Sequence, residues 1–525
     1  EILGILYSGI SIIKGSSSTL YGGGAIAGLV NLISKTPENE RDFSIHLNGT
    51  TGKELDINSF FGQKFGNVGT TVFASYNRNW AYDPSDVGFT VIPKFDRFVF
   101  NPKLFLYLSE NTDFSFGINS MIENRLGGDM KYVEGKGDEE HSYFERNKTQ
   151  RHSSQLTFEH RFDNQNRLNV KNSITYFSRK IEIPDFEFDG NQLSSFSEVS
   201  YIHTKEKTEW VTGANVWTDK FTEKKLTDFP VRDYNMTTFG LFVQNNTKIT
   251  DWMNLETGLR TDYITDYGFA VLPRISSHFK ITEKFSSRIG GGFGYKAPTI
   301  FSEDSERIQF QNVLPIDDDI NKLERSYGAN VDFTYKTGLF NDQVFLSINQ
   351  LFFYTYLKNP LELQSADNNR CQFNNIDGHV DSKGAETNMK IKYKDFGLFV
   401  GYTYTDANVK EDGRSYRKTL TPKHKVNSVL MYEVEDKWKI GLEAYYTGKQ
   451  KLNDGRTGKD YLICGLMMQR IWEKFSIYAN FENFTDRRQT RFDTIHTGSM
   501  TNPEFRDIYA PLDGFVLNTG IIIKL

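Results

Sequence analysis

The residues best suited to chemistry in this 525-residue chain are few and dispersed. Nine histidines are scattered, and none falls in the His-Glu-x-x-His spacing that sets two imidazoles on one helix face around zinc. Cys371 and Cys464 are the only cysteines, which excludes a disulfide scaffold and any four-cysteine metal site. The glycine-rich stretch after Lys14 invites comparison with a phosphate cradle, but no Gly-Lys-Ser/Thr follows a strand there. Lone Ser and Asp residues have no identifiable base. The reading is no enzyme, no catalytic residue, no metal and no cofactor. What remains is recognition chemistry. Tyr82, Tyr132, Phe301, Phe310 and Phe492 lie in long polar connections, where rings suit a compact ligand.

Such connections need a scaffold, and composition narrows it. Rings make up 14% of the chain, with 43 Phe and 27 Tyr, which is too much packing material for a disordered segment. No run of about 18 apolar residues exists, so an α-helical membrane protein is excluded. The 62 basic residues are matched by 67 acidic ones, which offers nucleic acid no electrostatic footing.

Period-2 alternation dominates. Phe43, Ile45 and Leu47 alternate with Ser44, His46 and Asn48. Phe396, Leu398, Val400, Tyr402 and Tyr404 share one face of the segment 396–405. From about residue 41 the alternation yields roughly 22 segments. Short turns fall at Gly66-Asn67, Glu110-Asn111, Asp163-Asn164, Thr250-Asp251, Thr282-Glu283, Lys394-Asp395, Glu435-Asp436 and Glu473-Lys474. Long connections lie between them, at 81–96, 126–141, 297–324, 358–378, 409–422 and 488–512. Short turns on one side and long loops on the other are the layout of an outer-membrane barrel. The sheet must close, because an open edge in lipid strands backbone donors and acceptors. The expected fold is an all-β membrane protein, a 22-stranded antiparallel transmembrane β-barrel over 41–525. A soluble propeller lacks its blade-length repeat here. A sandwich has fewer and shorter strands.

Residues 1–40 break the alternation. They form a turn, a small-residue segment and a short strand, and beside so large a barrel they suggest a piece that fills the lumen.

This stretch closely resembles the plug-domain signature of TonB-dependent outer-membrane receptors, on Lys14, Gly15, Tyr21, Gly22, Gly24, Ala25, Gly28 and Asn31. Tyr295, Lys296, Ala297 and Pro298 resemble the family box that opens a long extracellular loop. Asn312 to Pro315, followed by Leu323-Glu324-Arg325-Ser326-Tyr327, resembles the box that closes it. Lys383-Gly384-Ala385-Glu386 is similar to a Gly-x-Glu strand signature. Thr421-Pro422-Lys423-His424 and the segment Asn480 to Asp486 are similar to late-barrel signatures. The wording is nearest to receptors of the Bacteroidetes type.

The resemblance implies that 1–40 is the C-terminal remnant of an α+β plug domain. It also implies that most of the plug, the TonB box and any signal peptide lie outside this chain. The family usually ends in an aromatic residue, whereas this chain ends in Leu525. The implied activity is active import of a scarce nutrient, with ligand bound by outer loops and plug apex and energy delivered by TonB-ExbB-ExbD. A plug–barrel latch is implied between Lys14 and Glu386, with Glu324 a substitute because Asn330 stands where the family has its second glutamate. Ferric siderophore is the first substrate on family frequency. Cobalamin, another metal chelate, or an oligosaccharide or peptide handled with a surface lipoprotein follow. Haem receptors of the family carry a histidine between the two loop boxes, and 297–324 has none. Other implied partners are outer-membrane lipids, in the outer membrane of a Gram-negative bacterium. The competing readings are a passive porin, which the plug signature opposes, and a barrel enzyme, which needs a nucleophile with its base.

Overall fold

The computed structural model describes residues 6–14, 18–25 and 28–525, with only the backbone of Lys14 and Ser18. Twenty-two antiparallel strands close into a barrel. Strand Asp42–Thr50 pairs on one edge with Glu54–Phe65 and on the other with the last strand, Val516–Lys524, so no edge is left at the seam of closure. The short strand Arg414–Arg417 extends the rim beside Phe396–Glu411.

Alternation sorts the faces as expected. His46, Asn48, Asp56, Asn58 and Asn77 are buried toward the lumen, while Leu47, Leu55 and Ile57 lie exposed on the outer surface. The inward polar groups satisfy one another. Tyr478 Oη is 2.7 Å from His46 Nε2 and donates to Asn48 Oδ1 at 2.7 Å. Asn48 Nδ2 in turn donates to Asp56 at 2.9 Å. This network joins the first and second strands to Phe475–Glu482 across the closure.

Strand height is uneven. Phe186–Lys205 has 20 residues. At ~3.3 Å per residue that is roughly 65 Å, well beyond a ~30 Å hydrocarbon core even when tilted ~45°. With its neighbours it stands proud of the membrane as a tall wall. Not every outer connection is long, which corrects the simple alternation of turn lengths. Residues 51–53, 184–185 and 265–267 are tight outer turns, and 224–233 is a longer outer loop that the sequence pattern did not single out.

One ladder stops early. Gly268–Lys280 pairs with Phe285–Lys296 only from Arg274↔Gly292 downward. On its other edge the first of these strands continues to Gly268. Pro273 stands where the ladder ends and has no N–H to offer it.

Candidate functional site: the lumen piece and the lid

The N-terminal piece is a two-stranded sheet, Tyr7–Lys14 against Gly28–Ser34, joined through the single helical turn Ser18–Tyr21. Asn31 lies in the second strand opposite Ser11. Gly22 has φ +86° and Gly28 φ +126°, left-handed values that glycine adopts without a Cβ penalty. The helical turn packs on strands Tyr234–Thr250, Met253–Ile264, Gly268–Lys280 and Phe285–Lys296. Two glycines make the contact close. A Cβ at Gly258 would stand 2.2 Å from Thr19 Oγ1, and one at Gly23 would stand 2.4 Å from the Tyr295 ring. The Tyr295 N–H donates to the Gly23 carbonyl at 3.1 Å. Tyr295 Oη donates to Asp262 at 2.9 Å, and Asp262 is ion-paired with the buried Arg260. Arg260 also donates to Asn215 at 3.0 Å.

Tyr21 and Gly22 line a cavity at the inner wall, Ala25 is buried, Tyr21 is half exposed and Gly24 is exposed. Gly15 and the Lys14 side chain lie outside the described residues. Tyr21 separates two cavities. One of about 620 Å³ is lined by Ile13, Tyr21, Glu256, Arg274 and Asn330. The other, of about 420 Å³, is lined by Gly22, Arg167, Lys171, Glu198 and Arg260. Glu386 is in the Gly378–Tyr393 strand and accepts from Asn388 Nδ2 at 2.6 Å. Glu324 is buried at the top of its strand and accepts the Leu361 N–H at 2.9 Å, tying down the next outer loop.

Above the lumen, 297–323 crosses the mouth as a lid. Its box residues are structural anchors. Ala297 packs with Tyr295 beside Leu272 and Leu323, Pro298 is buried, and Lys296 stays exposed. Asn312 has φ +56°, and its carbonyl accepts the Cys371 N–H at 2.8 Å, while Leu314 donates back to Cys371. Val313 thus bridges the hairpin Leu361–Ala366 and Arg370–Asn375. Pro315 follows beside an acidic hollow of about 620 Å³.

The lid is pinned far from its own strands. Arg179 Nη1 donates to both oxygens of Glu306 at 2.7 Å. Gln309 donates to Glu145 at 3.1 Å, and Arg307 meets Asp507 at 3.4 Å. Arg232 is buried, paired with Glu223, and donates to the Phe310 carbonyl. Its guanidinium lies 5.0 Å from the Phe188 ring centroid. Burial raises the Tyr267 hydroxyl above its ordinary range, and its 2.8 Å hydrogen bond to Asp318 adds to that. Burial likewise raises the Glu362 carboxyl in the neighbouring hairpin.

The rings expected to face a ligand need correction. Phe310 is fully buried, stacked on Phe188 at 4.5 Å, and Phe301 packs edge-on to it at 5.7 Å. Both build the lid core with Ile181, Ile300 and Phe373. Tyr132 stacks on Phe144 at 4.8 Å, Tyr82 bridges to Ile92, and Phe492 packs toward Tyr509 at 6.3 Å. The five rings do not converge on one pocket. Loop sequences are ring-rich because tall loops need cores of their own. The contacts that sequence reading missed are Thr19–Gly258, Gly23–Tyr295 and Arg179–Glu306. A strand-interior glycine such as Gly258 was the available signal, since it marks a close approach.

A 22-stranded closed sheet with an inner piece glued to its wall narrows the family sharply. The family model described as TonB dependent receptor-like, beta-barrel matches residues 93–484. The chain belongs to that family. TonB-dependent receptors are outer-membrane transporters that interact with TonB, not enzymes, and this receptor is an outer-membrane β-barrel of that type. Its fold superposes on solved receptors of very low identity. The siderophore receptor PirA from Pseudomonas aeruginosa matches at 15% identity and TM-score 0.73, over 98% of this chain and 86% of that one. PirA from Acinetobacter baumannii matches at 16% and 0.76, over 99% and 85%. The FrpB iron transporter from Neisseria meningitidis matches at 12% and 0.78, over 99% and 88%. No curated protein matches this chain.

Proposed function

We propose that this receptor imports a ferric siderophore across the outer membrane, drawing energy from TonB with ExbB-ExbD. Residues 1–40 act as the C-terminal part of the plug, and 41–525 form the barrel. The observation that carries this reading is the pairing of two closures in one lumen. The Gly23–Tyr295 and Thr19–Gly258 contacts hold a small inner piece against the wall, and a pinned lid covers the mouth. A passive pore needs neither. Polar cavities on both sides of Tyr21 lie where a solute would pass the inner piece. Among the superposing structures are siderophore receptors and an iron transporter, which favours a ferric chelate. The latch is read as Lys14 with Glu386.

The test is growth on limiting iron with a supplied ferric siderophore. Loss of growth on deleting either this gene or TonB, with rescue by the gene, is the expected outcome. Growth unaffected on ferric siderophores but lost on cobalamin would move the substrate class. Large steady conductance of the full-length receptor in planar bilayers would refute the import mechanism. Mass spectrometry of native membranes reads out a bound chelate and any surface lipoprotein. For the latch, K14E and E386K should each impair uptake, and their combination should restore it.

A further inference from the structure

The strand Phe285–Lys296 breaks its own alternation near its outer end. Register with the next strand sets Phe293 opposite Tyr327, Gly294 opposite Ser326, Tyr295 opposite Arg325 and Lys296 opposite Glu324. The first two pairs keep their sides. Phe293 and Tyr327 are exposed outside and meet edge-on at 4.8 Å, while Gly294 and Ser326 are buried inside. A two-residue period then sends Tyr295 outward and Lys296 inward. The chain does the reverse. Tyr295 packs inside with Ala270, Leu272 and Leu323, and its hydroxyl reaches the fully buried Asp262. Lys296 is exposed although its partner Glu324 is buried.

The reversal has room because the ladder to Gly268–Lys280 has already stopped. Continued upward from Arg274↔Gly292, that register would bring Val271 opposite Tyr295 and Ala270 opposite Lys296. Val271 is exposed outside and Ala270 is buried inside. A closed ladder would therefore need Tyr295 out and Lys296 in. The Tyr295 N–H marks the choice. It donates to the Gly23 carbonyl at 3.1 Å rather than into either ladder, so it leaves the strand on the open side. One donor thus has two acceptors within reach of a small rotation, the Gly23 carbonyl of the inner piece and the Val271 carbonyl of the wall. A buried N–H must keep one or the other.

We propose that Tyr295 is a two-position residue that couples the inner piece to the lid. At rest the inner piece holds its N–H and its ring inside. When the inner piece withdraws, the N–H passes to Val271, the ring turns out beside Phe293 and Tyr327, and Lys296 turns in. A tyrosine is well placed among rings at the membrane–water boundary. Ala297 then loses the ring against which it packs beside Leu272 and Leu323. The lid is released at its root while the wall seals. Tyr295 is a positioning residue, and its role rests on the import reading for the force that withdraws the inner piece.

The test is disulfide trapping in the full receptor, with the cross-link identified by peptide mass spectrometry so that Cys371 and Cys464 are told apart from it. A270C/K296C reports the switched state, because those side chains lie on opposite sides of the wall at rest and on one side once the ladder closes. S276C/G290C, a pair the ladder already makes, is the control and should cross-link at one rate in every background. Adding Y295A should speed A270C/K296C closure about tenfold, the worth of one net hydrogen bond changing hands. Y295F, which keeps the ring, should not. Should Y295A fail to assemble, G23A should give the same acceleration, since its Cβ displaces the ring. Locking A270C/K296C should in turn raise hydrogen exchange at 19–25 and protease cleavage within 297–323 together, which a simple brace would not do. In cells, trapping should rise when TonB is present. Trapping indifferent to TonB but still coupled in the purified receptor would fault the import reading and leave the coupling standing. Equal closure with and without Y295A or G23A, closure as fast with Y295F as with Y295A, or a locked receptor with inner piece and lid undisturbed would each overturn the proposal.

Discussion

The Tyr295 N–H donates to the Gly23 carbonyl at 3.1 Å, and the Tyr295 ring lies where a Gly23 Cβ would be. One residue of the loop-opening box thus touches the inner piece and the barrel rim at once. Its hydroxyl continues the contact to Asp262 and Arg260. Any movement of the inner piece must break or drag this bond.

Filling that contact should loosen the closure. G23A and G258A each force a Cβ into occupied space, an overpacking that costs about 1–3 kcal/mol. The expected result is a rise in single-channel conductance in planar bilayers with barrel assembly intact, judged by heat-modifiable gel migration. Silent channels in both variants would show that the wall contact does not seal the lumen.

The Arg232–Glu223 pair should be the weak point of the lid. Both groups are buried, and Arg232 also holds the Phe310 carbonyl. Removing one partner leaves an uncompensated charge, at a cost of about 3–5 kcal/mol. R232M should make 224–233 and 297–323 sensitive to protease, and R232M/E223L should recover protection. Equal cleavage of parent and R232M would refute this.

Closure of the barrel should depend on Tyr478. Y478F removes the hydroxyl shared by His46 and Asn48 and leaves buried polar atoms without it, a loss of about 1–3 kcal/mol. The thermal midpoint of the gel shift should fall. F60A, which empties the apolar contact with Phe73 nearby, gives a comparison for simple packing loss.

The outer loops 448–460 and 483–515 should separate in acid. Arg456 donates to Asp454 at 2.6 Å and to Asp493 at 3.0 Å. The hydrogen bond from Arg456 holds the Asp454 carboxyl below its ordinary value. Burial works to raise the Asp493 carboxyl, but hydrogen bonds from Arg456 and Tyr509 outweigh it and lower it. Both folded values are depressed. Their stabilisation is therefore present above the unfolded carboxylate value of about 4 and is lost as pH falls through the folded values. Hydrogen exchange of these loops, corrected for intrinsic rate, should rise below about pH 4. R456Q should show that faster exchange already at neutral pH.

Much of the architecture was legible because it is local. Whether Leu47 meets lipid and His46 the lumen follows from a two-residue period, and eight of the short turns announced themselves by their polar residues. Closure followed from backbone groups that lipid cannot satisfy. The lid was not legible, because loops carry no period. Arg179 and Glu306 are 127 positions apart and meet only when the tall wall and the crossing loop have both formed. Phe310 read as a ligand ring for the same reason: in sequence, a buried ring and an exposed one look alike. The residues by themselves determined a closed β-barrel in lipid. The tertiary structure decided which glycines admit the inner piece and which rings hold the lid, since those depend on distances between segments that no spacing along the chain encodes.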